Sequence, residues 1–316
     1  MIVINTYHLL NSSSQLEFVL SIEAAKREKS YVAQKIKDYK MLVKFRLNLL
    51  VVFTSAIGYV IGSGQFFSWM GLLLLSLGGF LITGAANALN QVLEKEYDKL
   101  MPRTQNRPLP SGRMTVSTAV LAAGFMSLSG VFILAMFNPL TALIGTVSMI
   151  IYAFLYTPVK KISSIAVTIG AVPGALPPLI GWVAATGSIG NEAIVLFAIQ
   201  FFWQFPHFWA IGWLQHDAYK RVGYHLLPSK GGRDKSSALH CLIYALFLVP
   251  VSLFVGWIGM VSWLVVAIML AAAFHYAFYA WRFYQTCTME SARKLMFSSF
   301  FYLPIVMIAM LLGVIL

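Results

Sequence analysis

The sequence predicts an all-α polytopic membrane protein, with nine transmembrane helices bundled around a central cavity open to the cytoplasmic side. Three observations predict it. Of 316 residues, 59% are hydrophobic and 11% charged, and the mean hydropathy is +0.76, too little charge for an ordinary soluble chain. Nine apolar runs are each near the ~20 residues that a helix needs to cross ~30 Å of hydrocarbon. All 23 Lys and Arg fall in five clusters, and nine spans put every cluster on one side of the bilayer. Positively charged loops stay in the cytoplasm, which places the N-terminus inside and the C-terminus on the opposite side.

Residues 1–40 hold no apolar run of spanning length and no small-residue cleavage site, so they read as a cytoplasmic extension before a single transmembrane domain at 41–316. Glu17, Glu23 and Glu28 argue against a mitochondrial transit peptide and favour a bacterial inner membrane. The stretch from Ala24 to Lys40 has the pattern of an amphipathic surface helix. The spans follow at about 43–63, 68–90, 115–136, 139–157, 164–186, 191–213, 237–258, 260–281 and 295–315. Connections after spans one, three, five and seven are short, which makes neighbouring spans tight helical hairpins.

Span one opens with Lys44-Phe-Arg46. Lys44 reads as a snorkelling anchor, whereas Arg46, deeper in the apolar run, is expected to turn inward toward a ligand or an acid. Span two carries Gly78-Gly79 and Gly84-Ala-Ala-Asn87, small residues that allow close helix approach. It then runs into Asn90-x3-Glu94-Lys-Glu96-Tyr-Asp98. On a helix, Asn90, Glu94 and Asp98 lie at i, i+4 and i+8 and project from one face. One face of hard oxygens suits Mg²⁺, which commonly bridges a protein carboxylate to a substrate phosphate. Arg103, Arg107 and Arg113 follow and could hold that phosphate from the other side. The competing reading is a solvated helix end of mixed charge, and the residue pattern by itself leaves both open.

Lys160 and Lys161 close span four, either as topology markers or as diphosphate clamps facing the same compartment as the acids. In span five, Pro173, Pro177 and Pro178 must break or bend the helix, and the carbonyls they free are expected to line a cavity. Span six ends in Trp203-Gln204-Phe-Pro206-His207-Phe-Trp209, then Asp217-Ala-Tyr219-Lys220. Gln204, His207 and Asp217 interrupt an otherwise apolar aromatic segment and mark a second polar region. His275 in span eight has no polar company and reads as structural, and the isolated Cys241 and Cys287 suggest neither a disulfide nor a metal site. Both polar regions fall at cytoplasmic helix ends. A ligand with a phosphate head and a long hydrocarbon tail matches a cavity with a charged mouth and apolar walls. The basic charge does not indicate nucleic acid, since no loop joins a basic stripe to a folded reader module.

The pattern Asn90-x3-Glu94-x3-Asp98, then Arg103-Thr104-x-Asn106-Arg107-Pro108-Leu109, resembles the first acidic motif of the UbiA-type intramembrane prenyltransferases. The Trp203-to-Ala210 segment, Asp217-x-Tyr219, Leu227-Pro228 and Gly174-Ala-x-Pro177-Pro178 are similar to the heme-farnesylating branch of that family, over roughly residues 38–310. The resemblance implies a Mg²⁺-dependent enzyme, with one or two ions on Asn90, Glu94, Asp98 and Asp217. Its substrates would be farnesyl diphosphate and heme b, and its product heme O, the farnesyl group joining a vinyl carbon with addition of water. Arg46, Arg103, Asn106, Arg107, Lys160, Lys161, Gln204, Tyr219 and Lys220 would bind substrate. His207 would act at the reaction centre as an iron ligand or porphyrin orienter. A heme A synthase or terminal-oxidase assembly factors would be its partners.

Two features depart from the family pattern. Glu94 and Glu96 stand where Asp is common, and Asp217 is followed at i+4 by Arg221 where quinone-precursor relatives carry a second acid. An aromatic or quinone-precursor acceptor is the alternative within the family. A secondary transporter is the alternative outside it, disfavoured because the acids gather at one face instead of the midplane.

Overall fold

The computed structural model describes residues 28–315. Most of the expected extension, residues 1–27, lies outside the described residues. The described part begins with a helix over 28–42, α1. It is followed by α2 (Phe45–Ser63), α3 (Trp69–Asp98), α4 (Val116–Ala135), α5 (Pro139–Val159), α6 (Ala166–Thr186) and α7 (Asn191–Leu214). The short α8 (His216–Arg221) leads to α9 (Lys235–Trp257), α10 (Trp263–Thr286) and α11 (Met289–Ile315). Among the described residues, nine helices are long and apolar enough to cross a membrane, as the hydropathy and charge pattern predict. This is a multi-pass membrane protein.

Helix starts are set by side-chain caps. Ser68, Thr115, Asn138 and Asp234 each accept a hydrogen bond from a backbone N–H in the first turn of α3, α4, α5 and α9. Pro139 at the head of α5 lacks the N–H that would go unsatisfied there. Gly187 ends α6 with φ 75°, a left-handed stop that glycine adopts without a Cβ penalty. α9 breaks at Phe247, where Pro250 cannot donate to the Leu246 carbonyl.

Two glycines fix the packing of α2 on α6. A Cβ on Gly58 would lie 2.0 Å from the Pro178 carbonyl oxygen, and one on Gly181 would lie 1.9 Å from that of Ser55. The helices therefore meet backbone to backbone.

The three prolines of α6 do not interrupt the helix, and none of them lines the acid-bearing cavity. Two of the three carbonyls they free are taken up by side chains of neighbouring helices. Pro178 frees the Gly174 carbonyl, which accepts from Gln200 Nε2 at 2.6 Å. Pro177 frees that of Pro173, which accepts from Ser148 Oγ at 3.5 Å. Sequence reasoning placed a bend and a cavity here, and the structure uses the same groups as helix-to-helix contacts.

α3 continues eight residues past the predicted end of span two, so the acids sit on an unbroken helix. α5 changes pitch near its end, with a π-helical turn at Ile151–Tyr156. That turn aims Tyr152 and Tyr156 at the same cavity, a common use of a π-bulge.

Candidate functional site

The last two turns of α3 bring Asn90, Glu94 and Asp98 to one wall of a cavity of about 110 Å³, all three almost fully buried. Asn90 Nδ2 donates to Thr157 Oγ1 at 2.9 Å and to Glu94 Oε1, while its Oδ1 accepts from Lys44 Nζ at 2.9 Å. Glu94 Oε1 also pairs with Lys160 Nζ. Asp98 Oδ2 accepts from Arg107 Nη1 at 2.7 Å. Glu96 points outward to Lys99 at 2.7 Å and takes no part in the cavity.

Two carboxylates therefore meet four cations around the cavity: Lys44, Arg103, Arg107 and Lys160. The surplus is positive, and an anion with several oxygens is the ligand that would balance it. Burial pushes Lys44 down to about 8, opposed in part by the nearby Glu94. Burial likewise lowers Lys160, and Glu94 again opposes it. Both lysines are held at a cost that added negative charge would relieve.

The donors also fit a hard divalent cation. Asp98 Oδ1 is enclosed at 0% residue exposure, with no hydrogen-bond partner among the described residues. A buried carboxylate oxygen without a partner is costly unless something else binds it. Among the described residues no group of three or more His, Cys, Asp or Glu is gathered as a ready metal cage. Two carboxylates and an amide oxygen match the other arrangement, in which Mg²⁺ completes its shell with water and substrate phosphate.

Aromatic rings and the segment after α8 form the rest of the wall. Tyr152 accepts from Lys44 Nζ at 3.2 Å and stacks on Tyr156, centroids 5.4 Å apart. Tyr224 lies under Lys160 Nζ, 4.4 Å from its centroid, and packs on Tyr97. The His225 N–H donates to the Lys160 carbonyl at 3.0 Å, which ties this segment to the end of α5. Burial raises the Tyr224 hydroxyl well above its ordinary value, so it stays protonated.

The remaining predicted residues are distributed as follows. Arg103, Arg107, Lys160 and Tyr219 line the cavity together with the α3 donors, and Arg103 Nη2 donates to Tyr219 OH at 3.5 Å. Arg46 is exposed on α2 and does not line it. Lys44, two residues earlier, does. The chain breaks between α1 and α2, where Lys44 has φ 48°, and that left-handed step turns its side chain inward. The roles expected of these two cations are thus exchanged.

Asn106 is exposed, and its carbonyl accepts from Arg113 Nη2 at 2.8 Å. Arg113 also pairs with buried Asp38 at 3.0 Å, so it anchors α1 instead of reaching the cavity. Lys161 lies outside the cavity with Nζ 3.8 Å from the centroid of the Tyr97 ring. Lys220 is exposed, and so is Asp217, which pairs with Arg233 at 3.1 Å and not with Arg221. Gln204 donates to the Ala171 carbonyl at 2.8 Å and joins α7 to α6. His207 is buried between α7 and α11, where Nδ1 meets Ser299 Oγ at 2.7 Å.

Sequence reasoning missed Lys44, Tyr152, Tyr156, Thr157 and Tyr224 as components of the site. The i, i+4 spacing of Tyr152 and Tyr156 just before two lysines was the available signal.

The chain matches a family model described as the UbiA prenyltransferase family over residues 51–304. A Cytophaga hutchinsonii protein named protoheme IX farnesyltransferase is 46% identical over 282 residues, 89% of this chain and 99% of that one. A Flavobacterium psychrophilum protein of the same name is 43% identical over 281 residues, 87% of this chain and 93% of that one. Among solved structures, a digeranylgeranylglyceryl phosphate synthase superposes with a TM-score of 0.75 at 20% identity, covering 89% of this chain and 99% of the other. A UbiA homolog from Archaeoglobus fulgidus, bound to GPP and Mg²⁺, superposes with a TM-score of 0.63 at 15% identity, covering 86% and 99%. At such identities these two structures establish the fold alone.

Proposed function

This chain belongs to the UbiA prenyltransferase family, and from that membership we propose that it transfers the farnesyl group of farnesyl diphosphate to a vinyl group of heme b. The product is heme O, and diphosphate leaves. The observation that carries the reading is one cavity in which Asn90, Glu94 and Asp98 face Lys44, Arg103, Arg107 and Lys160.

Asn90, Glu94 and Asp98 would hold Mg²⁺, which when bound neutralises charge developing on the diphosphate as the allylic C–O bond breaks. The chain's own cations act on the same group. Lys44, Lys160, Arg103 and Arg107 bind diphosphate oxygens, and Arg107 and Lys160 exchange their present carboxylate partners for them. Tyr152, Tyr156 and Tyr224 present ring faces beside the ammonium groups and suit an allylic cation equally well. The same rings, with Met101 and Leu226, form the less polar part of the wall, where the cation would be shielded from water until the heme vinyl carbon attacks it. Water then adds to the resulting cation next to the porphyrin and loses a proton, which leaves a hydroxyalkyl group.

The charge pattern supports a bacterial inner membrane, with the cavity and N-terminus on the cytoplasmic side and the C-terminus opposite. A heme A synthase or an oxidase assembly factor would take up the product.

The reading is tested by incubating membranes holding the protein with Mg²⁺, farnesyl diphosphate and either heme b or an aromatic acid acceptor. Mass spectrometry should find a heme heavier by one farnesyl group plus one hydroxyl group. Prenylation of the aromatic acid with heme untouched would move the chain to another branch of the family.

A further inference from the structure

α1 meets the rest of the protein along one stripe only, and its other faces define a partner. Gln34, Asp38 and Leu42 recur every fourth residue; Asp38 and Leu42 are buried, and Gln34 Nε2 donates to Asp38 Oδ1 at 3.0 Å. Val32, Ile36 and Tyr39 form a second stripe, with Tyr31 at its edge, and all four stay exposed among the described residues. Lys29 and Lys40 border that apolar stripe on one side, Lys35 lies on the other, and Lys37 sits further round. Among the described residues none of these four lysines forms an ion pair. Lys35 Nζ lies 5.2 Å from the Tyr31 ring centroid, and Lys40 Nζ lies 5.7 Å from that of Phe45. Their aliphatic stems thus run along apolar surface while the ammonium groups reach past it.

Three spans fix α1 at the end of the bundle that carries the cavity. Gln91 on α3 donates to the Met41 and Leu42 carbonyls at 2.9 and 2.7 Å, and Arg113, just before α4, pairs with Asp38 at 3.0 Å. α2 begins at Phe45, whose exposed ring, with Leu49, Leu50 and Phe53, belongs to the lipid-facing surface of span one. Lys40 over Phe45 brings the last turn of α1 to the head of that surface. An apolar stripe edged by unpaired lysines, tied at a membrane boundary, fits a layer that offers hydrocarbon below and phosphate above.

We propose that α1 docks on anionic phospholipid of the leaflet on the cavity side, and that this docking holds the cavity's cations in place. Lys44 follows α1 directly and reaches Asn90 Oδ1 at 2.9 Å. Arg113, held by Asp38, also donates to the Asn106 carbonyl, in the segment that carries Arg103 and Arg107. Seating α1 therefore braces both sets of cations. The docking is independent of which acceptor is used; only its effect on diphosphate binding rests on the proposed function.

The test uses the full chain with a nitroxide on Ile36→Cys, a position 51% exposed, in a Cys287→Ser background. It is placed in nanodiscs of phosphatidylcholine alone or of phosphatidylcholine with phosphatidylglycerol. With phosphatidylglycerol the label should be open to dissolved oxygen, closed to a water-soluble nickel chelate and about 5–10 Å below the phosphates. In phosphatidylcholine alone it should lie shallower. The same change of lipid should tighten binding of farnesyl diphosphate with Mg²⁺ at least about threefold, because a larger share of the protein then holds Lys44 in place. A variant with Lys29→Gln, Lys35→Gln, Lys37→Gln and Lys40→Gln should lose both responses and keep the affinity that the wild type has in phosphatidylcholine alone. Access of the nickel chelate in both lipids would stand α1 off the membrane and overturn the proposal. Shielding from both reagents would mean that residues 1–27 or another chain cover the stripe, and would overturn it too. Equal depth in the two lipids would rule out recognition of anionic headgroups, and a lipid-dependent depth with unchanged farnesyl diphosphate affinity would rule out the coupling to the cavity. Absence of farnesyl diphosphate binding in either lipid would count against the proposed function, while the label still decides the docking.

Discussion

Lys44 shows how much one backbone angle decides. Read by spacing alone, Lys44 and Arg46 at the mouth of span one assign the deeper residue to the interior. That argument assumes a continuous helix, and the left-handed step at Lys44 ends α1 and starts α2 anew. Nothing in the local sequence announces the step, because lysine has no preference for positive φ. Two outcomes follow. Lys44→Ala removes a charge-assisted contact to the leaving group and should lower kcat/KM for farnesyl diphosphate about 100- to 1,000-fold. Arg46→Ala should change it by less than about twofold, a loss typical of a surface cation. Steady-state kinetics on both variants in the same membrane preparation checks the pair, and a reversed order would put Arg46 back in the site.

Elements carry the next level of organisation. The acid face of α3 was legible because a straight helix obeys its own period, and Asn90, Glu94 and Asp98 share one wall as spaced. The part played by α6 was not. Three prolines suggested a broken helix, yet Gln200 and Ser148 on neighbouring helices satisfy freed carbonyls, and no single-helix pattern records those partners. What matters in α6 is its contact with α2. Gly181→Ala forces a methyl group into the Ser55 carbonyl and should destabilise the bundle by about 1–3 kcal/mol. Thermal unfolding in detergent reads that cost, and an unchanged midpoint would show that the helices separate easily.

α8 supplies a contrast with α3. Its Asp217 is exposed and pairs with Arg233, so Asp217→Asn should reduce farnesyl transfer at least about tenfold less than Asp98→Asn. Equal losses from the two variants would mean that Asp217 leaves Arg233 and joins the metal during turnover.

At the scale of the whole molecule, the sequence was most informative. Hydropathy and the Lys/Arg clusters predicted nine spans because the bilayer imposes one length and one charge rule on every helix. The connections at one end, 64–68, 136–138, 187–190 and 258–262, contain no Lys or Arg. Single-cysteine labelling should find Ser188 reachable from the periplasmic side only and Ser111 from the cytoplasmic side only. Both sites reacting from one side would overturn the topology and the one-sided cavity with it. The site was less legible because it is assembled from α3, the α1–α2 junction, the π turn of α5 and the segment after α8, and such convergence depends on packing across the bundle.

The central claim is that the buried carboxylate of Asp98 and the cations around it activate a prenyl diphosphate for transfer to heme. Its most direct measurement is the initial rate of farnesylated heme formation, by mass spectrometry, in membranes carrying equal amounts of wild type and Asp98→Asn with Mg²⁺ in excess. The wild type should form product, and the variant should lose about 100-fold or more of that rate while remaining inserted. A variant as fast as the wild type would contradict the account.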